Sequence, residues 1–91
     1  MAYMVVHLEV ADYDEWKKMF DSDPAGRREL AKGHMISRAV DNPNEVFIRN
    51  EFASVDDAKK FRQQLIDSGA LNRGTVKTPP TVIEVAEQAT Y

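Results

Sequence analysis

The segment MVVHLEV near the start of the chain is the feature that most limits the fold. Side chains alternate along an extended strand, so Met4, Val6, Leu8 and Val10 share one face and Tyr3, Val5, His7 and Glu9 share the other. The first set is wholly apolar and the second half apolar, so the strand needs cover on both sides. In a chain of 91 residues the helical segments suffice for only one side of a sheet. The second face then requires a surface from outside the chain. A second copy of the chain, in a homodimer, is the expected source.

Residues 3–10 read as a strand, and Asp12 follows as a helix N-cap with Glu15 completing a capping-box pattern. Tyr13, Trp16, Met19 and Phe20 lie at helical spacing and make one apolar stripe. Asp23-Pro24 predicts a second helical start, with Asp23 as cap and Pro24 at the first helical position. That piece runs toward Lys32 and carries Arg27, Arg28 and Glu29, which predicts a surface position, and Gly33 is its expected stop. Residues 34–41 and 45–53 read as strands joined by the turn Asp41-Asn42-Pro43-Asn44. Ser54 caps a further helix whose stripe is Val55, Ala58, Phe61, Leu65 and Ile66, ended by Gly69, with a helical turn possible over 70–74. Pro79-Pro80 precedes a last strand, Thr81 to Glu87, and Gln88 to Tyr91 read as a tail that frays or lies on a partner subunit.

The order strand, helix, strand, strand, helix, strand predicts one α+β domain over residues 1–91. It is the ferredoxin-like βαββαβ arrangement, an antiparallel four-stranded sheet with both helices on one face. One sheet face is expected to carry Met4, Val6, Leu8 and Val10 with Val46, Ile48, Asn50 and Phe52. The other takes Tyr3, Val5, His7 and Glu9, then Ile36, Arg38 and Val40, then Phe47, Arg49 and Glu51. Half apolar and half charged, that face suits a sheet-to-sheet dimer in which ion pairs fix register. Its candidate interface residues are Tyr3, Val5, His7, Glu9, Arg38, Phe47, Arg49 and Glu51.

Composition closes several function classes. The chain has no cysteine, which removes disulfides, thiolate nucleophiles and Cys-based metal sites. A net charge of −3, with no dense Lys/Arg block, argues against nucleic acid and anionic membranes as partners. The segment EVFIRNEF also lacks the glycine-aromatic pattern of RNA-binding sheets. No apolar run approaches the roughly 20 residues that span a bilayer. MAYMVVHLEV carries His7 and Glu9 within its apolar run and does not read as a signal peptide, so the expected location is the cytoplasm. His7 and Glu9, two apart on a strand, are at most half a metal site. The other histidine, His34, has no partner at ligand spacing, so no metal is expected.

Asn50 is the odd residue on the apolar face, and two readings stay open. Backbone groups satisfy its amide, or it is one of few polar groups in an apolar pocket lined by Trp16, Phe20 and Phe61. Arg27 and Arg28 are likewise either a solvated helix face or cations at a pocket mouth.

DYDEWKKMFD, the Arg27 after it, the hairpin DNPNEV leading into EF, and DDAKKF resemble the dimeric α+β barrel superfamily. The closest likeness is to small bacterial antibiotic biosynthesis monooxygenase-like proteins, and it spans most of residues 3–87. The resemblance implies a homodimer with two facing sheets and, in each subunit, a cavity between sheet and helices. It implies either a cofactor-independent oxygenase or cyclase acting on a small aromatic compound, or a non-catalytic small-ligand-binding or interaction module. Haem-degrading relatives use an Asn on the first strand and a Trp and a His toward the second helix. Here the first strand has no Asn and residues 54–69 have neither Trp nor His, which disfavours haem chemistry, and the likeness to cofactor-independent oxygenases implies no metal, flavin or other cofactor. The residues the cavity would use are Trp16, Phe20 and Phe61 as walls, Asn50 to orient a carbonyl or hydroxyl, and Arg27 to attract an anion.

Overall fold

A computed structural model describes residues 1–91. Strands β1 (Ala2–Val10), β2 (Ala31–Arg38), β3 (Glu45–Phe52) and β4 (Gly74–Glu84) form one antiparallel sheet in the order β2-β3-β1-β4. Helices α1 (Tyr13–Asp21), α2 (Arg27–Leu30) and α3 (Val55–Ser68) connect them, with a 3-10 turn over Ala70–Arg73. This is the ferredoxin-like α+β fold. No helix is long and apolar enough to cross a membrane.

The alternation of β1 is carried into burial without exception. Ala2, Met4, Val6, Leu8 and Val10 are buried, whereas Tyr3, Val5, His7 and Glu9 are half-exposed. Register extends the buried face across the sheet, with Met4 opposite Asn50, Val6 opposite Ile48 and Leu8 opposite Val46. Two apolar clusters fill the space between this face and the helices. One joins Val6, Leu8 and Val10 to Trp16 and Phe20 of α1. The other joins Ala2, Met4 and Phe52 to Ala58 and Phe61 of α3. Ser54 Oγ accepts from Asp57 N–H to cap α3, and Gly69, at φ 74°, turns the chain out of it.

Several local expectations fail for identifiable reasons. Asp12 caps α1 by accepting from Asp14 N–H, and Glu15 pairs with Lys18 instead of closing a capping box. Asp23 is not the N-cap of the next helix: Gly26 is, and Pro24-Ala25-Gly26 is a turn before a helix α2 only one turn long, whose first N–H groups, of Arg27 and Arg28, donate back to the Asp23 carboxylate. Gly33 lies inside β2, at a register shift against β3, and so continues a bulged strand where a helix stop was expected. β2 stops at Arg38, and β4 starts at Gly74 and ends at Glu84. Pro79 and Pro80 therefore sit within β4, which tolerates them because it is an edge strand paired with β1 alone, through an irregular register near His7. Ile66 is exposed and leaves the α3 stripe. Residues 85–91 are exposed and carry no regular structure.

The face assigned to the second strand is also corrected. Ile36 pairs with Ile48 and Arg38 with Val46, so both belong to the helix-bearing face rather than the open one. Arg38 is therefore not on the expected dimer face. Its guanidinium lies 3.8 Å from the Tyr13 ring centroid and its Nε donates to Pro43 C=O. Val40 falls in the hairpin loop. Met35 and Ser37, opposite Arg49 and Phe47, take the places on the open face. Alternation orders residues within one strand; the phase between two strands depends on their turn. Here the turn is closed by Ala39 N–H to Glu45 C=O and Glu45 N–H to Asn42 C=O.

Gly74 has no room for a side chain where β4 passes β1. A Cβ there would stand 2.7 Å from the Glu9 carbonyl oxygen, a backbone atom that moves only if β1 and β4 separate. Gly74→Ala should cost about 1–3 kcal/mol, the usual range for overpacking. Urea unfolding measures it, and an unchanged midpoint would show that β4 yields freely.

Candidate functional site

Trp16 and Phe20, one turn apart on α1, point inward with ring centroids 5.2 Å apart. Phe61 approaches from α3, Asn50 from β3, and Arg27 from the start of α2. All five line one cavity of about 50 Å³ between the sheet and the helices, walled otherwise mainly by Val6, Leu8, Ile48, Met19 and Leu71. Apart from Asn50 and Arg27, Asp23 is the only polar residue in the lining.

Asn50 is 2% exposed, and its Oδ1 has no hydrogen-bond partner. Backbone does not satisfy that oxygen. An unpaired buried amide oxygen is costly and unusual in a folded protein, and it marks a place where a ligand group or water can be received.

Arg27 departs furthest from expectation. It is 5% exposed, not surface-borne, and its guanidinium carbon lies 3.8 Å from the Phe20 ring centroid. Nη1 donates to Phe20 C=O at 3.4 Å and stands 3.9 Å from Asp23 Oδ1. Burial pulls its pKa below the usual arginine range, and Asp23 works in the opposite direction. A guanidinium stays protonated in proteins, so a desolvated, sparsely bonded positive charge lies beside the apolar cavity. Asp23 is little help as a base because Oδ1 and Oδ2 accept from Arg27 and Arg28 N–H at 2.8 and 3.2 Å.

From the sequence His34 reads only as a metal ligand without a partner. It pairs with Asn50 across the β2–β3 ladder and meets the Phe20 ring edge-on at 5.1 Å. Burial first, then the positive charges of Arg27 and Lys17, depress its pKa. Its signal in the sequence was position on the helix-bearing face, which becomes readable only once the register of β2 is known.

The open sheet face carries Tyr3, Val5, His7 and Glu9 of β1 and Phe47, Arg49 and Glu51 of β3, as their burial alternation dictates. His7 stacks on Phe47 at 4.0 Å and shares a 2.7 Å hydrogen bond with Glu45. Glu9 accepts from Asn42 Nδ2, and Arg49 lies 5.2 Å from the Tyr3 ring centroid. Within one chain His7 and Glu9 are thus paired with Glu45 and Asn42. Nowhere do three or more His, Asp or Glu side chains gather as metal ligands.

No protein-family model and no curated protein matches the sequence. Solved structures do match its fold. SnoaB, a cofactor-independent oxygenase from Streptomyces nogalater solved as an asparagine-to-alanine mutant, superposes with a TM-score of 0.72 at 14% identity, covering 96% of this chain and 94% of SnoaB. An antibiotic biosynthesis monooxygenase-like protein of Deinococcus radiodurans matches at TM-score 0.61 and 13% identity, over 100% and 98% of the two chains. A dimeric ferredoxin-like protein from an uncultured marine organism matches at TM-score 0.61 and 12% identity, over 99% and 98%. The chain has the fold of the antibiotic biosynthesis monooxygenase-like, ferredoxin-like proteins.

Proposed function

We propose that the protein is a homodimer that takes a small aromatic compound into the cavity bounded by Trp16, Phe20 and Phe61, and oxidises it as a cofactor-independent oxygenase. The unpartnered Asn50 Oδ1 in a mainly apolar lining carries this reading. The cavity of about 50 Å³ is smaller than the roughly 150 Å³ that admits a benzene ring. Ligand binding therefore displaces half-buried wall residues, and Met19 is the most adaptable of them. In such a site the substrate loses a proton to solvent, and the carbanion passes one electron to dioxygen. Substrate radical and superoxide combine in a carbon–oxygen bond, the peroxide anion takes up a proton, and the hydroperoxide loses water to leave a carbonyl. The protein's part is to orient the ring, accept a hydrogen bond from a substrate hydroxyl at Asn50 Oδ1, and stabilise the anion through Arg27.

A binding role without turnover is favoured by one observation. The sole carboxylate lining the cavity is Asp23, and backbone N–H groups occupy both of its oxygens. One experiment separates the two readings. With an anthrone-like phenol under air, the oxygenase reading expects oxygen uptake that falls about 100-fold in Trp16→Ala and Asn50→Ala, the usual size for loss of a transition-state contact. Ligand retained in native mass spectrometry with no uptake across a panel of phenols establishes the binder instead.

The dimer has its own check. Phe47 and Met35 leave 42% and 50% of their surface exposed on the open face, beside half-buried Tyr3 and Val5. An apolar sheet face of this kind is normally covered. Phe47→Asp should turn a dimer into a monomer in native mass spectrometry at micromolar protein. A wild-type monomer under those conditions would refute the pairing.

A further inference from the structure

We propose that a cationic cleft at the edge of the cavity, formed by Arg27, Arg28, Lys32 and His34, binds a carboxylate, so that the ligand is an aromatic carboxylic acid. The ring part of this inference rests on the reading of the cavity given above.

The cleft has a volume of about 180 Å³, and the rest of its lining is Ala31 and Gly33. In a chain with 15 acidic and 12 basic residues, a cleft lined by three permanent cations and no acid is a local reversal of charge. The nearby carboxylates are already engaged. Asp21 holds Lys17 Nζ through both oxygens at 2.7 and 2.8 Å, and Asp23 is bonded to the backbone of α2.

Arg27 belongs to the linings of both the cleft and the apolar cavity, which makes it the hinge of the argument. Its side chain is about nine-tenths buried, yet its polar contacts are one long hydrogen bond and one 3.9 Å ion pair. Five N–H donors in a planar fork match the two coplanar oxygens of a carboxylate, and desolvation strengthens that pairing. His34 lines the cleft, on the same sheet face as Asn50, and stands edge-on to Phe20, a wall of the cavity. Burial first, and then the positive charges of Arg27, Lys17 and Arg28 against the negative charge of Asp21, hold the imidazole toward its neutral form. An anion placed in the cleft offsets the part of that bias that the cations supply. It therefore binds more tightly as pH falls through the histidine range, with proton uptake at His34.

The test uses the full chain with 1-naphthoate, 1-naphthol and acetate as probes, read by calorimetry and by the His34 ring proton signals. Naphthoate should bind at least about tenfold more tightly than naphthol near pH 6 and raise the pKa of His34. Replacing the two exposed cations, Arg28→Ala with Lys32→Ala, should weaken naphthoate about tenfold and leave naphthol unchanged, without touching the buried Arg27. Equal affinity for naphthoate and naphthol, insensitive to that double substitution, overturns the carboxylate site while the cavity reading stands. Acetate raising the His34 pKa while neither aromatic binds supports the carboxylate site and removes the cavity reading. No binding and no shift with any probe overturns both.

Discussion

Replacing Phe52 by alanine should lower the stability of the fold by about 3–5 kcal/mol, the range for emptying a fully buried phenylalanine position. Phe52 has no exposed surface and closes β3 opposite Ala2 of β1 and Ala31 of β2. Its small neighbours there cannot expand into the space its ring would vacate. The ring centroid lies 5.6 Å from that of Phe61, so the substitution also removes an aromatic contact that seats α3 on the sheet. Domains of this size have about 5–15 kcal/mol in total, and each kcal/mol moves the melting temperature by about 4–8 °C. A fall of at least about 12 °C follows from those two ranges. Phe52→Leu, which keeps most of the volume, should recover more than half of the loss. Both melts are compared at one protein concentration, because dimerisation contributes to apparent stability. A loss under about 1 kcal/mol would mean that the cluster of Phe52, Met4 and Phe61 is not the structural core of this half of the molecule.

What could be read from the sequence follows the range of the interactions involved. β1 was legible because every alternate residue from Ala2 to Val10 is buried, and alternation is a property of the strand itself. Ser54 and Gly69 were legible for the same local reason, as a cap and a left-handed stop. β2 was not. Six of its eight residues are exposed, so no burial pattern fixes its phase, and the bulge near Gly33 and the turn before β3 set it instead. Arg27 shows a different limit. Its neighbours Arg28 and Glu29 are exposed, and the sequence of α2 reads as a polar surface. The guanidinium is buried only because Phe20, from another helix, supplies a ring face for it. Asn50 was visible as an anomaly, but whether its amide was satisfied depended on atoms from strands and helices far apart in the chain. The cavity was therefore half legible: its walls follow from helical and strand periodicity, and its polar chemistry follows from tertiary packing.

Asn50→Leu should make the protein more stable and abolish ligand retention, two effects of opposite usefulness from one substitution. Leucine is close to asparagine in shape and removes an amide whose Oδ1 has no partner in the folded state. Leaving a buried acceptor unsatisfied costs about 1–3 kcal/mol, and an apolar replacement recovers much of it while adding buried hydrocarbon beside Val6 and Ile48. The expected gain is about 1 kcal/mol or more, seen as a higher urea midpoint with unchanged slope. In the same variant, native mass spectrometry of protein carried through purification should show no retained small molecule. Oxygen uptake with the anthrone-like phenol should be lost as well. Positions where stability and activity oppose each other in this way are characteristic of binding sites, since a core residue selected only for packing has no reason to keep an unpaired polar atom. If Asn50→Leu instead destabilises the fold by about 1 kcal/mol or more, the amide is satisfied in solution and serves packing. The cavity then loses its one uncommitted hydrogen-bond acceptor, and with it the observation on which the oxygenase reading stands.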